Sequence, residues 1–153
     1  MPKYAAVDIG SNSVRMQAAE VVPGSPPRVL AAERDVTRLG ESVFRTGRIS
    51  PEALEFTCSQ LEKMAEIYRK LDVAGIRAVA TSAVRDASNQ REFLERASEA
   101  AGAAVEVISG QEEARLIHLG VDSRWPHKNR RTLIIDVGGG SAELIVSENG
   151  RMV

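Results

Sequence analysis

The stretch Asp136-Val137-Gly138-Gly139-Gly140-Ser141 stands between two apolar runs, residues 133–135 and 144–146. This pattern predicts a strand, a glycine turn and a second strand. The chain contains the same arrangement near its start, where Asp8-Ile9-Gly10-Ser11-Asn12-Ser13 follows the apolar run 5–7. Both stretches read D-x-G-x-x-S, so the sequence predicts two similar turns, each placed between strands.

The residue types in these two turns suit the binding of phosphate. Glycine has no side chain and reaches positive φ, so main-chain N–H groups can approach an anion closely. The serine hydroxyl adds a donor, and an aspartate at a strand end is a hard oxygen ligand for a divalent cation. For either copy alone, an ordinary hairpin turn with a capping aspartate is an equal alternative. The match at three positions in both copies favours phosphate binding.

The composition is typical of a globular protein of 153 residues, with 43% hydrophobic and 27% charged residues. The net charge of −1 gives no overall field that favours nucleic acid or an acidic membrane, so we expect neither as a partner. The single cysteine, Cys58, cannot form an internal disulfide and suggests a reducing compartment. No apolar run reaches the ~18 residues of a membrane span. We also expect no signal peptide, which makes the cytoplasm the expected location.

Hydrophobic periodicity and turn residues divide most of the chain into strands and helices. Ser50 followed by Pro51 marks the start of the first helix. Asn89 and Ser109 each stand three residues before a glutamate, a spacing that predicts capping boxes for two later helices. Strands are predicted over 4–9, 14–22, 28–39, 76–81 and 104–108, helices over 51–71, 89–102 and 109–121, and loops over 40–48 and 81–86.

The order β-β-β-α-β-α-β-α predicts an α/β fold, a ribonuclease-H-like domain of the actin-like architecture with a mixed five-stranded sheet. We assign residues 1–124 to this first domain and the polar stretch 125–131 to a linker. Residues 132–153 are expected to be the opening β-hairpin of a second, truncated actin-like domain. The apolar face of this hairpin needs cover. The hairpin is expected to pack on the first domain, to pair with a second copy or to be poorly ordered.

Four blocks of the chain resemble the N-terminal part of the exopolyphosphatase / guanosine pentaphosphate phosphohydrolase (Ppx/GppA) family. They are residues 8–13, residues 80–85 with Asn89, residues 108–115 and residues 136–143. The first and last blocks suit many actin-like phosphotransferases. The S-G-x-E-E-A-R sequence of the third block is far more specific, and it decides between those families.

Glu113 is the candidate general base. Glu112 is accounted for by the capping box, whereas Glu113 has no such structural role and shares a helix face with Leu116 and Ile117. Apolar neighbours tend to raise the pKa of a carboxylate, while a helix N-terminus lowers it. A surface glutamate in a first helical turn is the alternative. The resemblance implies that Glu113 is the glutamate that activates the attacking water.

The resemblance also implies further site residues. Arg85 lies just past a strand end, where ligand sites collect in open sheets, and its guanidinium can hold two phosphate oxygens. The alternative is an exposed arginine paired with Asp86 or Glu92. Glu143 shares a strand face with Ser141 and is implied to be a second catalytic or metal-organising acid. The implied phosphate ligands are Gly10, Asn12, Ser13, Gly138, Gly139 and Ser141, and the implied ligands of Mg²⁺ or another divalent cation are Asp8 and Asp136.

The implied reaction is hydrolysis of the terminal phosphoanhydride of inorganic polyphosphate in a cleft between two actin-like halves. Removal of the 5′ γ-phosphate from guanosine pentaphosphate is the alternative within the family. An ATP-dependent kinase or chaperone and a non-catalytic module are further alternatives, and the third block argues against the kinase and the chaperone. We expect weak or no activity from these 153 residues alone, and a homodimer for the full-length protein.

Overall fold

The computed structural model describes residues 1–153 as eight strands, five helices and their connections, with the strands arranged in two sheets. In chain order the elements are β1 (Lys3–Ile9), β2 (Ser13–Glu20), β3 (Arg28–Val36), α1 (Leu39–Thr46), α2 (Pro51–Lys70), β4 (Gly75–Ala80), α3 (Ser82–Asp86), α4 (Gln90–Ala101), β5 (Val105–Val107), α5 (Gly110–Arg124), β6 (Arg131–Val137), β7 (Ala142–Glu148) and β8 (Arg151–Met152).

The first sheet has the strand order β3-β2-β1-β4-β5. Strands β1 to β3 pair antiparallel, whereas β1, β4 and β5 pair parallel, so the predicted mixed five-stranded sheet is confirmed. Strand β1 lies at the centre of the sheet. The turn that joins β1 to β2 is the first D-x-G-x-x-S stretch, and it therefore emerges from the middle of one sheet edge.

The core lies between one face of this sheet and the helices α2 and α4. Helix α2 begins where predicted, because Ser50 Oγ accepts a hydrogen bond from the Ala53 N–H at 3.2 Å and Pro51 occupies the first turn. Burying one large apolar side chain stabilises the folded state by about 1.5–3 kcal/mol. None of the helices combines the length and apolar character that crossing a membrane requires. One face of α2 is buried: Leu54, Cys58, Leu61, Ala65 and Tyr68.

Two segments predicted as loops contain helices. Helix α1 covers most of the predicted loop 40–48 and begins one residue before it, at Leu39, because the strand predicted over 28–39 ends at Val36. Helix α3 lies within the predicted loop 81–86. Neither helix has a side-chain N-cap, and α1 carries Gly40 in its first turn, so the usual start signals are missing. Burial of Leu39 and Val43 against the core holds α1 in place instead. Tertiary packing therefore determines these helices more than local sequence does.

The capping box predicted at Asn89 is wrong. The Asn89 side chain makes no cap hydrogen bond to α4. Its Oδ1 accepts from the Ile49 N–H at 2.9 Å, and its Nδ2 donates to the Ile49 carbonyl oxygen at 3.0 Å. The amide thus satisfies both main-chain groups of a buried residue that lies just before α2. This contact is distant in sequence, which is why the local pattern suggested a cap.

The second sheet has the order β6-β7-β8, and the two-residue strand β8 extends the predicted hairpin. The hairpin packs on α5, where Ile145 is buried and Ser147 is fully buried. Ser147 Oγ and His118 Nε2 of α5 share a buried hydrogen bond of 2.9 Å. One face of the hairpin therefore packs on the preceding helix, as one of the three alternatives expected. The other face stays exposed, with the apolar side chains Leu133, Ile135, Val137, Leu144 and Val146. Pairing of this face with a second copy stays a prediction.

Candidate active site

A cavity of about 340 Å³ lies between the two D-x-G-x-x-S turns. One of its 16 lining residues is hydrophobic, Val137, so its surface is almost entirely polar. Every site residue predicted from the sequence lines this cavity except Arg85. The structure therefore brings together residues from both ends of the chain, separated by more than a hundred positions.

The two turns have the same backbone arrangement. The Gly10 N–H donates to the Ser13 carbonyl oxygen at 3.0 Å, and the Gly138 N–H donates to the Ser141 carbonyl oxygen at 2.9 Å. Each turn is closed by the same hydrogen bond between its matching glycine and serine. The repeat in the sequence is therefore a repeat in three dimensions, although the two turns belong to different sheets.

The second turn approaches the first so closely that its glycines cannot carry side chains. A Cβ added to Gly139 would lie 2.8 Å from Asn12 Cβ and 3.2 Å from the Asn12 nitrogen. A Cβ added to Gly140 would lie 2.6 Å from Ser11 Oγ and would overlap the ring of Phe44. These glycines are needed for close approach of one backbone to another.

Glu112 has the structural role that its position predicted, with one difference. Its main-chain N–H donates to Ser109 Oγ at 3.2 Å, so Ser109 caps α5. Its carboxylate accepts from Arg115 at 2.7 Å and from Arg77 at 3.2 Å rather than from the Ser109 N–H, so only half of the capping box forms. The hydrogen bond from Arg115 above all lowers the pKa of Glu112 to about 2.

Glu113 is in a different environment one residue later. Its side chain is 16% exposed, and its Oε2 is buried without a hydrogen-bond partner. Burial raises the pKa of this carboxyl group above its ordinary value, the negative charges of Glu143 and Asp8 raise it further, and Arg85 opposes them. A partly buried carboxylate that lines a polar cavity and has a raised pKa has the properties of a general base.

Arg85 lies behind Glu113 rather than in the cavity wall. Its Nη1 donates to the Ile108 carbonyl oxygen at 2.7 Å and lies 3.6 Å from Glu113 Oε2. It forms no ion pair with Asp86 or Glu92, the partners that the alternative interpretation required. In this arrangement Arg85 positions Glu113, and its role as a phosphate ligand remains a prediction.

Asp8 and Asp136 occupy matching positions in the two turns, and both line the cavity. Although Asp8 is exposed as a whole residue, its carboxyl group is recessed in the cleft, and this partial desolvation raises its pKa. The charge of Asp136 raises it further, and Arg15 opposes both effects. A cation between two such carboxylates would relieve their repulsion, so their chemistry fits Mg²⁺. No group of three or more His, Cys, Asp or Glu is arranged for metal binding, so water or substrate oxygens would complete the coordination.

Two arginines in the cavity wall were not predicted from the sequence. Arg15 and Arg34 face each other across the β2–β3 pair, and Arg15 faces Asp8 across the β1–β2 pair. Arg34 Nε donates to Ser13 Oγ at 3.4 Å. Like charges directly opposite each other destabilise a sheet unless an anion lies between them. Arg15 lies two positions after Ser13 on β2, and this period-two spacing was the signal that could have identified it. Arg34 follows only from the register of β2 with β3.

Comparison with known proteins gives a consistent result. A model of the Ppx/GppA phosphatase family matches residues 18–153. The solved structure of the Aquifex aeolicus Ppx/GppA phosphatase, in its type II variant, is 32% identical with a TM-score of 0.86, and the match covers 100% of this chain and 50% of that chain. The structure of an exopolyphosphatase from Cytophaga hutchinsonii is 30% identical with a TM-score of 0.92. The match covers 99% of this chain and 48% of that chain.

A third structure, of an exopolyphosphatase-like protein, is 33% identical with a TM-score of 0.92 and covers 99% of this chain and 48% of that chain. The chain thus spans about half the length of the solved structures it matches. The agreement of the backbones confirms the predicted actin-like fold. The specific S-G-x-E-E-A-R block, the paired turns and the family match agree, and the chain belongs to the Ppx/GppA phosphatase family.

Proposed function

We propose that this protein hydrolyses the terminal phosphoanhydride bond of inorganic polyphosphate and releases inorganic phosphate. The observation that carries this proposal is the position of Glu113, a partly buried carboxylate with a raised pKa that lines a polar cavity between two glycine turns. Family membership supports the reaction class.

In this proposal the two turns bind the terminal phosphate from opposite sides. The hydroxyls of Ser13 and Ser141 donate to its oxygens, together with main-chain N–H groups of the turns other than those of Gly10 and Gly138, which close the turns. Arg15 and Arg34 supply positive charge from the sheet. Donors that are already in place stabilise the charge that develops during phosphoryl transfer without further reorganisation.

Glu113 then accepts a proton from the attacking water. As the water oxygen forms a bond to the terminal phosphorus, its proton passes to the Glu113 carboxylate, and the bond between phosphorus and the bridging oxygen breaks. A raised pKa makes a carboxylate a stronger base at neutral pH, and Glu143 and Asp8 help to raise it. Arg85 keeps the carboxylate close to the cavity without occupying the cavity itself.

Asp8 and Asp136 would hold Mg²⁺ or another divalent cation in this proposal, either directly or through water. When bound, the cation would offset phosphate charge. The support for this assignment is the pair of facing carboxylates and the raised pKa of Asp8.

Polyphosphate is the preferred substrate because the lining of this cavity contains no aromatic side chain on which a guanine base could stack. One observation favours guanosine pentaphosphate as the second candidate. An adjoining cavity of about 700 Å³ shares Asp8, Arg15 and Arg34 with the first, and six of its 12 lining residues are hydrophobic. Such a cavity suits a nucleoside better than a phosphate chain.

We propose the cytoplasm as the location of this protein. Its support is Cys58, which is buried and forms no disulfide. The homodimer expected for the full-length protein stays a prediction.

The test is Glu113→Gln in the full-length protein, with phosphate release measured on polyphosphate and on guanosine pentaphosphate. Loss of a general base lowers turnover by about 10²–10⁴-fold, and we expect substrate binding to be retained. Glu112→Gln is the matched control, because its carboxylate pairs with Arg115 and Arg77 outside the cavity. Near-normal turnover of the Glu113→Gln variant would refute the assignment, and the preferred substrate of the unchanged protein decides between the two candidates.

A further inference from the structure

A second cavity, of about 500 Å³, lies against the first. The two cavities share Ser11, Asn12 and Gly139, the residues at which the two turns touch. The rest of its wall comes from α1 and from Arg38, which immediately precedes α1. We call this second cavity the α1 pocket. Its lining residues include one hydrophobic side chain.

Arg38 is held in an unusual backbone conformation at this pocket. Its φ of 53° and ψ of 38° are left-handed, which is uncommon for a residue other than glycine. The Arg38 N–H donates to the Asn12 carbonyl oxygen at 3.0 Å, and the Thr37 N–H donates to the same oxygen at 3.0 Å. Strained residues persist where the surrounding structure fixes them. The first phosphate turn thus fixes an arginine beside itself.

Arg45 lines the same pocket from the last turn of α1. Arg38 precedes the first turn of α1, so the two arginines line the pocket from opposite ends of the helix. Neither arginine forms an ion pair with a carboxylate. Glu41 lies between them in the same pocket and opposes their charge. Two unpaired guanidinium groups beside a phosphate site favour a multiply charged anion.

We propose that the α1 pocket binds the continuing phosphates of an inorganic polyphosphate chain whose terminal phosphate lies in the catalytic cavity. The chain crosses from one cavity to the other over Asn12, which lines both. Arg38 and Arg45 then contact phosphates that follow the bond being broken. This inference rests on the proposed function and adds to it a basis for chain-length preference.

The α1 pocket gives long and short substrates different affinities. Tripolyphosphate ends within or beside the catalytic cavity, whereas a long chain also contacts Arg38 and Arg45. Affinity therefore rises with chain length, and the gain depends on α1 rather than on the turns. Screening by salt weakens the gain, because the arginines are exposed.

The experiment compares tripolyphosphate with long-chain polyphosphate on variants of the full protein. Arg38→Asn preserves the backbone, because asparagine tolerates the left-handed conformation. Arg38→Asn and Arg45→Gln should each raise the Kd for the long chain about three- to tenfold and leave that for tripolyphosphate unchanged. Glu41→Gln should lower the Kd for the long chain. Arg48→Gln is the control, since this exposed arginine lies just beyond α1 and lines neither cavity.

Direct titration separates this inference from the proposed function. Equal weakening for both chain lengths, or an effect of Arg48→Gln as large as that of Arg45→Gln, would overturn the α1 pocket and leave the proposed function standing. If the unchanged protein releases no phosphate from tripolyphosphate or from the long chain, the proposed function fails. The length dependence of the Kd still decides the α1 pocket in that case.

Discussion

Nη1 of Arg85 lies 3.6 Å from Oε2 of Glu113 and donates its hydrogen bond at 2.7 Å to the carbonyl oxygen of Ile108 instead. The main chain therefore fixes the guanidinium next to the buried glutamate oxygen, with which it forms an ion pair. The positive charge of Arg85 opposes the rise in the pKa of Glu113.

Removing the charge of Arg85 should shift the pH dependence of the reaction. Because Arg85 lowers the pKa of Glu113, the Arg85→Gln variant should have a still higher pKa, and the acidic limb of kcat should move to higher pH. Arg85→Lys keeps the positive charge and should shift the limb less. A pH–rate profile for each variant measures this, and an unmoved acidic limb in Arg85→Gln would contradict the arrangement.

The stability of the protein should depend on pH through Glu113. Its pKa is raised above the ordinary value of 4.5 in the folded state, so its contribution to stability is present below that value and is lost as pH rises through the folded-state pKa. Glu113→Gln removes the penalty of a desolvated charge. The variant should therefore gain stability relative to the unchanged protein at neutral pH and not at acidic pH, as thermal unfolding at the two pH values would show. A gain in stability of the same size at neutral and at acidic pH would contradict the raised pKa of Glu113.

Contact between the two turns should be sensitive to one methyl group. Gly139→Ala would place a Cβ 2.8 Å from Asn12 Cβ and 3.2 Å from the Asn12 nitrogen, so the turns must separate. Overpacking of this kind costs typically about 1–3 kcal/mol, and phosphate release should fall. Gly120→Ala in α5 is the control, because nothing lies within 4 Å of the added Cβ and alanine favours a helix by about 0.5–1 kcal/mol. A comparable loss of stability and of phosphate release in Gly139→Ala and Gly120→Ala would refute the role of close contact between the turns.

The buried hydrogen bond between His118 and Ser147 should be expensive to break from one side. Ser147→Ala leaves His118 Nε2 buried without its partner at 2.9 Å, which costs about 1–3 kcal/mol of unfolding free energy. Adding His118→Leu should recover part of that loss. Ser123→Ala removes an exposed hydrogen bond and should change stability by less than about 0.5 kcal/mol. Chemical denaturation of the four proteins provides the comparison.

The central sheet was predictable because its information is local and repeated. Alternation in β1 and β2, the Ser50–Pro51 start of α2 and the two matching turns are all read within a few residues. The catalytic cavity followed from the same repeat, since both turns had to meet in order to act together. Family resemblance then singled out Glu113.

What escaped prediction depends on contacts distant in sequence. Helix α1 forms because Leu39 and Val43 are buried, not because its ends carry capping side chains. Asn89 bonds to Ile49 from 40 positions away, and no local pattern reveals that partner. Arg85 does not line the cavity, because its guanidinium donates a hydrogen bond to the carbonyl oxygen of Ile108, and no local pattern predicts that contact.

Helix α5 gives the protein a mechanical connection between its two sheets. Glu113 lies in the first turn of the helix, and His118, about 7.5 Å further along the axis, is bonded to Ser147 of the second sheet. A rotation that lifts Gly139 off Asn12 would pull the same helix and draw Glu113 away from the phosphate. In the proposed reaction, one such movement would separate the two turns and displace Glu113 together.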